Sequence, residues 1–256
     1  MTIYLLRNGP CLLYEALARY FFKRKRVQFP EKVKMHKLKF LKVQFDTEIA
    51  PYELPAFRGA IAAKVGKEAV LFHNHQDTRF RYGYPLIQYK CIGRQPAILC
   101  VGEGVEEIHQ FFQQKSWNIT LSNRELEMKI ARLDMKQFTL QVWDKEFTYE
   151  LRHWIALHQE AYQDYQQMES LSDKLHFLET KLCGNILSLA KGVGWQVDKE
   201  IRCKILEMGN TKWVKVKGIK LLAFNLTFRS NVFIPNFLGL GGKVSLGYGT
   251  VQEVRK

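Results

Sequence analysis

An α+β fold built from two related halves is the fold class that the sequence predicts. Several short segments alternate apolar and polar residues, as strands do, and other segments space apolar residues by three and four, as helices do. In the first half these segments follow the order β-α-β-β-α-β, and the second half starts in a similar way. This order is that of the ferredoxin-like split unit, so we expect two such units in tandem, with a glycine-rich loop near the C-terminus.

The elements of the first half are bounded by turn and stop signals. Pro51 and Pro55 end the first strand, Gly66 stops the helix that follows, and Gly93 marks a turn between two strands. In chain order we expect a strand at Leu38–Glu48, a helix at Ala56–Lys64, strands at Tyr84–Ile92 and Pro96–Val101, a helix at Val105–Gln113 and a strand at Leu126–Ile130.

The second half contains a long amphipathic segment, His158–Lys191, whose apolar residues are spaced by three and four and which therefore predicts a helix. The segment Gly184–Gly194, which spans the end of this helix and the glycines after it, resembles the glycine-bounded segment Gly59–Gly66 of the first half. We also expect a hairpin around Asp144–Lys145 and strands at Trp213–Val216, Lys220–Phe228 and Val244–Val251. The expected organisation is a basic extension at residues 1–34, a first domain at 35–136 and a second domain at 137–256.

The chain is strongly basic. Its 256 residues include 39 lysines and arginines against 25 aspartates and glutamates, which gives a net charge of +14 and an isoelectric point near 9.5. Such a protein usually meets a polyanion, either nucleic acid or an anionic membrane surface, although a solvated basic surface is the simpler alternative. No apolar run approaches the roughly 18 residues of a membrane span, and the N-terminus lacks the features of a secretory signal. We therefore expect a cytoplasmic protein without membrane association.

The segment Gly239–Gly249 is the most distinctive in the chain. Glycines this dense let a backbone approach a phosphate closely and direct N–H groups towards it, whereas a plain glycine-rich hairpin is the alternative. The spacing fits neither a dinucleotide-binding fingerprint nor a P-loop. Val244 stands where the first requires glycine and where the second requires Ser or Thr.

A pair of histidines, His73 and His75, forms a second candidate site. On an extended chain, residues two apart point the same way, and Arg79 follows closely. The pair suits three roles: a metal site, with Asp77 as the local candidate for a third ligand, a structural pair holding a loop, or an acid and a base acting on a phosphodiester. Five scattered cysteines without a C-x-x-C pair supply no zinc site, and we expect no cofactor.

Taken together, these segments resemble the CRISPR-associated repeat-RNA processing endoribonucleases of the repeat-associated mysterious protein superfamily, and within it the subfamily lettered b. Besides the tandem halves, the resemblance rests on Leu54–Ile61, on Phe72–His75 leading into Tyr84–Lys90, and on Gly239–Gly249. It covers residues 35–256.

The resemblance implies an endoribonuclease that matures CRISPR RNA without metal. In that family a histidine at or after the first helix helps the 2′-hydroxyl attack its own phosphate, which leaves a 2′,3′-cyclic phosphate and a 5′-hydroxyl. His73 falls best on that position, and His75, Arg79 and Arg58 are the other expected catalytic residues. The residues expected to contact RNA are Arg81, Tyr82, Lys90, Gly239, Gly241, Gly242, Lys243, Ser245, Gly247 and Gly249.

The implied partner is CRISPR repeat RNA within a precursor transcript. Other CRISPR-associated proteins and a second copy of the chain in a homodimer are further candidate partners. The catalytic residues of this family vary between members, so two alternatives stay open. One is a non-catalytic repeat-RNA-binding subunit of a CRISPR ribonucleoprotein, and the other is a basic protein that binds nucleic acid without sequence preference.

Overall fold

The computed structural model describes residues 36–73, 75–76, 79–80, 83–121 and 123–254. The expected basic extension, residues 1–34, lies outside them. Within the described part of the chain, no helix is both long enough and apolar enough to cross a membrane.

The first half is an antiparallel sheet of four strands with short helices between them. Its sheet order is β4-β5-β1-β8, which is the ferredoxin-like order in which the first and third strands occupy the centre. The elements are β1 (His36–Phe45), α1 (Leu54–Val65), α2 (Val70–His73), β2 (His75–Gln76), β3 (Arg79–Phe80), β4 (Ile87–Ile92), β5 (Gln95–Val101), α3 (Gly104–Glu107), α4 (His109–Phe112), β6 (Ile119–Leu121), β7 (Arg124–Leu126) and β8 (Ile130–Leu140).

The two faces of this sheet bury different cores. On β1, Val43 and Phe45 pack with helix residues such as Phe57 of α1. The alternate positions Leu38 and Phe40 pack with residues of the second half. Because side chains of a strand point to opposite faces in turn, this one sheet separates a helix-covered core from the core that it shares with the second half.

The second half repeats the sheet order. Its strands lie in the order β10-β12-β9-β13, with β11 paired to β12 as a hairpin. A ferredoxin-like unit has a second helix between its third and fourth strands, which here are β12 and β13. In place of that helix, the chain forms a 3-10 turn at Val244–Leu246 within the glycine-rich segment. The elements are β9 (Val142–Trp154), α5 (Gln159–Gln167), α6 (Leu171–Gly192), β10 (Cys203–Met208), β11 (Lys212–Val216), β12 (Ile219–Val232) and β13 (Thr250–Glu253).

Several predicted element boundaries are wrong. The fourth strand of the first half is β8, not Leu126–Ile130, and the expected domain division at residue 136 falls inside β8, while the change of sheet occurs between Leu140 and Val142. The hairpin expected around Asp144–Lys145 is instead an irregular stretch within β9: Phe147 pairs with Ser230 and Val142 with Val232, so extra residues bulge out between them.

The long helix and the last strand also differ from the prediction. The predicted helix at His158–Lys191 is two helices, because Ser170 caps a new start by accepting a hydrogen bond from Ser172 N. The expected strand at Val244–Val251 begins only at Thr250, since the preceding residues form the 3-10 turn.

Candidate nucleic-acid interface

A groove of about 590 Å³ lies between the two halves. The first half contributes Tyr52 and the end of β4, and the second half contributes parts of β9, β11 and the glycine-rich segment. Among the described residues that line the groove, every charged one is basic: Lys90, Arg152, Lys212 and Lys215. The tyrosines Tyr52, 84% exposed, and Tyr248, half-buried, add aromatic surface. Cations interleaved with accessible aromatic rings suit the phosphates and bases of a single-stranded nucleic acid.

Lys90 lies at the floor of the groove and is only 2% exposed. Its Nζ is 3.4 Å from Thr250 Oγ1, on the first strand residue after the glycine-rich segment. Burial lowers the pKa of this lysine to about 7. Lys90 therefore gains or loses its charge near neutral pH, in a position where little water reaches it.

The glycine-rich segment is held tightly by the protein. Gly249 has a φ of 63°, and a Cβ there would collide with the carbonyl oxygen of Leu240. At Gly247, φ is 88° and a Cβ would lie 2.5 Å from Leu54 Cδ2 on α1. No other residue type fits these two positions without displacing backbone or a buried side chain.

Much of the backbone hydrogen-bonding capacity of this segment is used internally. The N–H groups of Gly239, Gly242, Gly247 and Gly249 donate to Gln88 Oε1, Ile155 O, Val244 O and His153 O respectively. These four N–H groups are therefore not directed at a ligand. Lys243 is exposed with a left-handed backbone (φ 57°) and Ser245 is half-buried, but neither lines the groove, whereas Leu246 and Tyr248 of the same segment do.

Two side chains, Tyr84 just before β4 and Gln88 on β4, fix the start of the glycine-rich segment. The hydroxyl of Tyr84 donates to Gly239 O at 2.7 Å, and Gln88 Nε2 donates to the same hydroxyl at 2.9 Å. Burial raises the pKa of Tyr84 far above its ordinary value, which keeps the hydroxyl protonated as a donor. The first half thereby sets the position of a segment that belongs to the second half.

His73 is half-buried at the end of α2. Its Nε2 lies 2.8 Å from Gly66 O, and the guanidinium of Arg58 donates to its carbonyl oxygen at 2.9 Å. A ring nitrogen facing a carbonyl oxygen must carry the proton, which leaves Nδ1 as the acceptor nitrogen of the neutral ring. The structure thus brings Arg58 and His73 into contact. The His73 ring also contacts Gly66, the residue that follows the end of α1.

The other residues predicted near His73 are described less fully. The backbones of His75 and Arg79 lie in the hairpin of β2 and β3, in which Gln76 pairs with Arg79. Arg81 and Tyr82 lie outside the described residues. Among the described residues, no group of three His, Cys, Asp or Glu side chains is placed to hold a metal ion.

Sequence comparison identifies the family. The Cas6b N-terminal domain model matches residues 36–139, and the Cas6b C-terminal domain model matches residues 141–254. The chain belongs to the Cas6b family. An uncharacterized protein of Methanocaldococcus jannaschii is 39% identical over 103 residues, which cover 40% of this chain and 69% of that protein.

Solved Cas6b structures share the fold. A crystal structure of Cas6b has 27% sequence identity and a TM-score of 0.79, and a crystal structure of the CRISPR RNA processing endoribonuclease Cas6b has 25% identity and a TM-score of 0.66. Each alignment covers 86% of this chain and all of the other chain. The predicted α+β fold of two tandem ferredoxin-like halves is confirmed.

This Cas6b chain also places residues in the groove that sequence reasoning missed. Arg152, His153, Lys212 and Lys215 come from β9 and β11 and carry no local motif. Lys212 and Lys215 are three residues apart, so strand alternation would place them on opposite faces, and nothing local in the sequence predicts that both line the groove.

Proposed function

We propose that this Cas6b-family protein binds CRISPR repeat RNA in the groove between its halves and cuts it as an endoribonuclease. The observation that carries the proposal is the groove itself, since all of its described charged residues are cations and two tyrosines stand beside them. The membership in Cas6b supports the choice of RNA among polyanions. A phosphodiester chain would lie along the cations while its bases stack on the rings.

The proposed reaction needs no metal. A base takes the proton of the 2′-hydroxyl, the 2′-oxygen attacks the adjacent phosphorus, and an acid protonates the leaving 5′-oxygen. The products are a 2′,3′-cyclic phosphate and a 5′-hydroxyl. Cations near the phosphate stabilise the charge that builds up on it in the transition state, and positioned acids and bases each contribute about 10²–10⁴-fold.

His73 and His75 are the sequence-based candidates for acid and base, with Arg79 and Arg58 as supporting cations. Of the four, Arg58 and His73 are already in contact through the His73 carbonyl. The ring of His73 has one nitrogen next to Gly66 O, so Nδ1 is the nitrogen through which it would act.

For RNA contact, the proposal assigns separate roles to the predicted residues. Exposed Lys243 would pair with a phosphate directly. The glycines shape the segment, because the packing at Gly247 and Gly249 leaves no room for a side chain. Lys90 would take up a proton as a phosphate approaches the groove floor, since an anion raises the pKa of a neighbouring amine.

The test incubates the full chain with its repeat RNA in excess EDTA and identifies the ends by mass spectrometry. Cleavage with 2′,3′-cyclic phosphate and 5′-hydroxyl ends is expected. The matched substrate has 2′-deoxyribose at the scissile nucleotide, and it should bind equally well and stay intact. Tight binding without cleavage of either RNA would indicate a non-catalytic RNA-binding subunit, and equal competition by an unrelated hairpin would indicate binding without sequence preference.

A further inference from the structure

His153 sits at a β-bulge in the middle of the second sheet. On β9 and β12, Trp154 pairs with Phe224 and Leu151 pairs with Leu226. Two residues of β9, Arg152 and His153, therefore stand opposite a single residue of β12. In a regular strand these two side chains would point to opposite faces, but both are exposed and both line the groove. Bulges of this kind re-aim side chains next to functional sites.

The backbone at the bulge is unusual and firmly held. His153 has a φ of 51°, in the left-handed region that is uncommon for residues other than glycine, although Asn, Asp and His enter it more often than most. Its N–H donates to Asn225 Oδ1 at 2.8 Å, and its carbonyl oxygen accepts from Gly249 N at 3.0 Å. The Asn225 amide is fixed in turn by donating to Asn210 O at 2.8 Å. Two neighbouring segments, β12 through Asn225 and the glycine-rich segment through Gly249, thus hold His153 in this conformation, and Asn210 supports the first of them.

The groups around the ring favour a neutral imidazole. Partial burial is the largest cause of a lowered His153 pKa, and the positive charges of Lys212 and Arg152 lower this pKa further. Arg152 is itself ion-paired with Glu150 at 2.6 Å. The remaining titratable groups lining the groove are Lys90, Cys91, Lys215, Tyr52 and Tyr248. None of these described groups is a carboxylate that could favour the protonated ring.

We propose that His153 is a further catalytic residue of this groove: it, in place of His73 or His75, is the base that accepts the proton of the RNA 2′-hydroxyl, which leaves those two histidines as candidates for the acid. The inference rests on the proposed endoribonuclease function. As the proton moves to the imidazole, the 2′-oxygen forms a bond to phosphorus and the bond from phosphorus to the 5′-oxygen breaks. The 5′-oxygen leaves with a proton from His73 or His75, the candidates for the acid, and Lys212 of the groove lining is the cation that would neutralise the phosphate.

The experiment compares His153→Asn with the wild type in single-turnover cleavage of repeat RNA. Asparagine tolerates a left-handed backbone, so this variant keeps the bulge while it removes the imidazole. His176→Ala is the matched control, because His176 is exposed on α6 and does not line the groove. Melting curves of both variants establish that they fold.

The expected result is a loss of at least about 10²-fold in the rate for His153→Asn, with RNA affinity within about threefold of the wild type. The acidic limb of the pH–rate profile should disappear, and added imidazole should restore part of the rate. If His153 had only a structural role, its replacement would neither remove the acidic limb of the profile nor make the rate respond to imidazole. His176→Ala should cleave as the wild type does.

Three outcomes overturn the inference and differ in what else they overturn. Wild-type rates for folded His153→Asn remove His153 from catalysis and leave the endoribonuclease function intact, especially if His73→Ala abolishes cleavage in the same assay. A slow His153→Asn whose acidic limb persists and which imidazole does not rescue shows a structural role. Failure of the wild type to cut any repeat RNA removes both the inference and the proposed function.

Discussion

The backbone N–H of Gly239 donates to Gln88 Oε1 at 3.0 Å, which joins the first half to the start of the glycine-rich segment. The bond is one side of a closed network, because Gln88 also donates to the Tyr84 hydroxyl and that hydroxyl donates to Gly239 O. Gln88 is fully buried, so every group in the network depends on its partners in place of water.

Replacing this amide should be costly. Gln88→Ala leaves the Gly239 N–H buried without a partner, so we expect a loss of about 1–3 kcal/mol in the free energy of unfolding. Gln137→Ala, an exposed glutamine on β8, should change it by less than about 0.5 kcal/mol. Urea denaturation measures both, and equal effects would show that the network contributes nothing specific.

Two glycines should respond to alanine in opposite directions. Gly249→Ala places a Cβ against the Leu240 carbonyl at a φ of 63°, and we expect a loss of stability of more than about 1 kcal/mol together with weaker RNA binding. Gly59→Ala, in the exposed middle of α1 with open space around it, should stabilise the protein by about 0.5–1 kcal/mol. Thermal and urea unfolding give both values. A Gly249→Ala variant with unchanged stability would mean that the glycine-rich segment can rearrange to accommodate a side chain.

The order of strands and helices is readable in the sequence because alternation and helical spacing are local signals. The β-α-β-β-α-β order of the first half follows directly from such segments. The fourth strand was misplaced because Met128 belongs to the buried core while lying between strands, so its apolar character imitates a strand position.

The candidate site was less predictable, since the groove assembles residues from distant parts of the chain. The sequence placed Lys90 among the residues expected to contact RNA. In the structure β4 is buried on both faces: Tyr89 points to the helix-covered core, and Gln88 and Lys90 point towards the glycine-rich segment. The left-handed backbone of His153 has no sequence signature, because the bulge is fixed by Asn225 and Gly249 far along the chain.

Lys90 should make stability depend on pH. Its pKa is about 7 in the folded protein and about 10.4 in the unfolded chain, so between these values the unfolded state binds more protons and stability rises with pH. Below pH 7 Lys90 is charged in the folded protein as well, so the burial of its ammonium group lowers the free energy of unfolding by the full amount. Lys90→Met should therefore stabilise the protein relative to the wild type at pH 6, and this gain should shrink by at least about 1.4 kcal/mol by pH 9.5.

The matched variant for this measurement is Lys136→Met, which alters an exposed lysine on β8. Its difference from the wild type should stay constant across the same pH range. A constant difference for Lys90→Met as well would show that Lys90 is protonated throughout.

Lys243 should contribute to RNA affinity through charge. Lys243→Glu is expected to weaken binding and to reduce the salt dependence by roughly one phosphate contact or more, with a slope near −0.7 per contact for single strands. Neither lysine lines the groove, but Lys243 belongs to the glycine-rich segment that does, so Lys115→Glu, the same charge change at an exposed position of the first half, should have a smaller effect on both quantities. Titrations at several salt concentrations measure the slopes. Identical slopes for the two variants would mean that Lys243 acts only through net charge.

His73 is the other histidine whose role in cleavage can be tested with the structure in hand. If it serves as acid or base, His73→Ala should lower the single-turnover rate by at least about 10²-fold while RNA affinity barely changes, and the wild-type rate should follow a bell-shaped pH profile near neutrality. His75→Ala should lose a comparable amount if it is the partner of His73, and far less if it only orients the hairpin of β2 and β3.

The hydrogen bond between His73 and Gly66 O defines the competing structural role, in which His73→Ala would lower the melting temperature and leave the rate per folded molecule unchanged. His109→Ala, an exposed histidine on α4, controls for the loss of an imidazole as such. Full cleavage by the His73→Ala, His75→Ala double variant would contradict the sequence-based assignment. Since His153 lines the groove and His73 does not, that result combined with a slow His153→Asn would place the group that takes the proton from the 2′-hydroxyl in the second half of the protein.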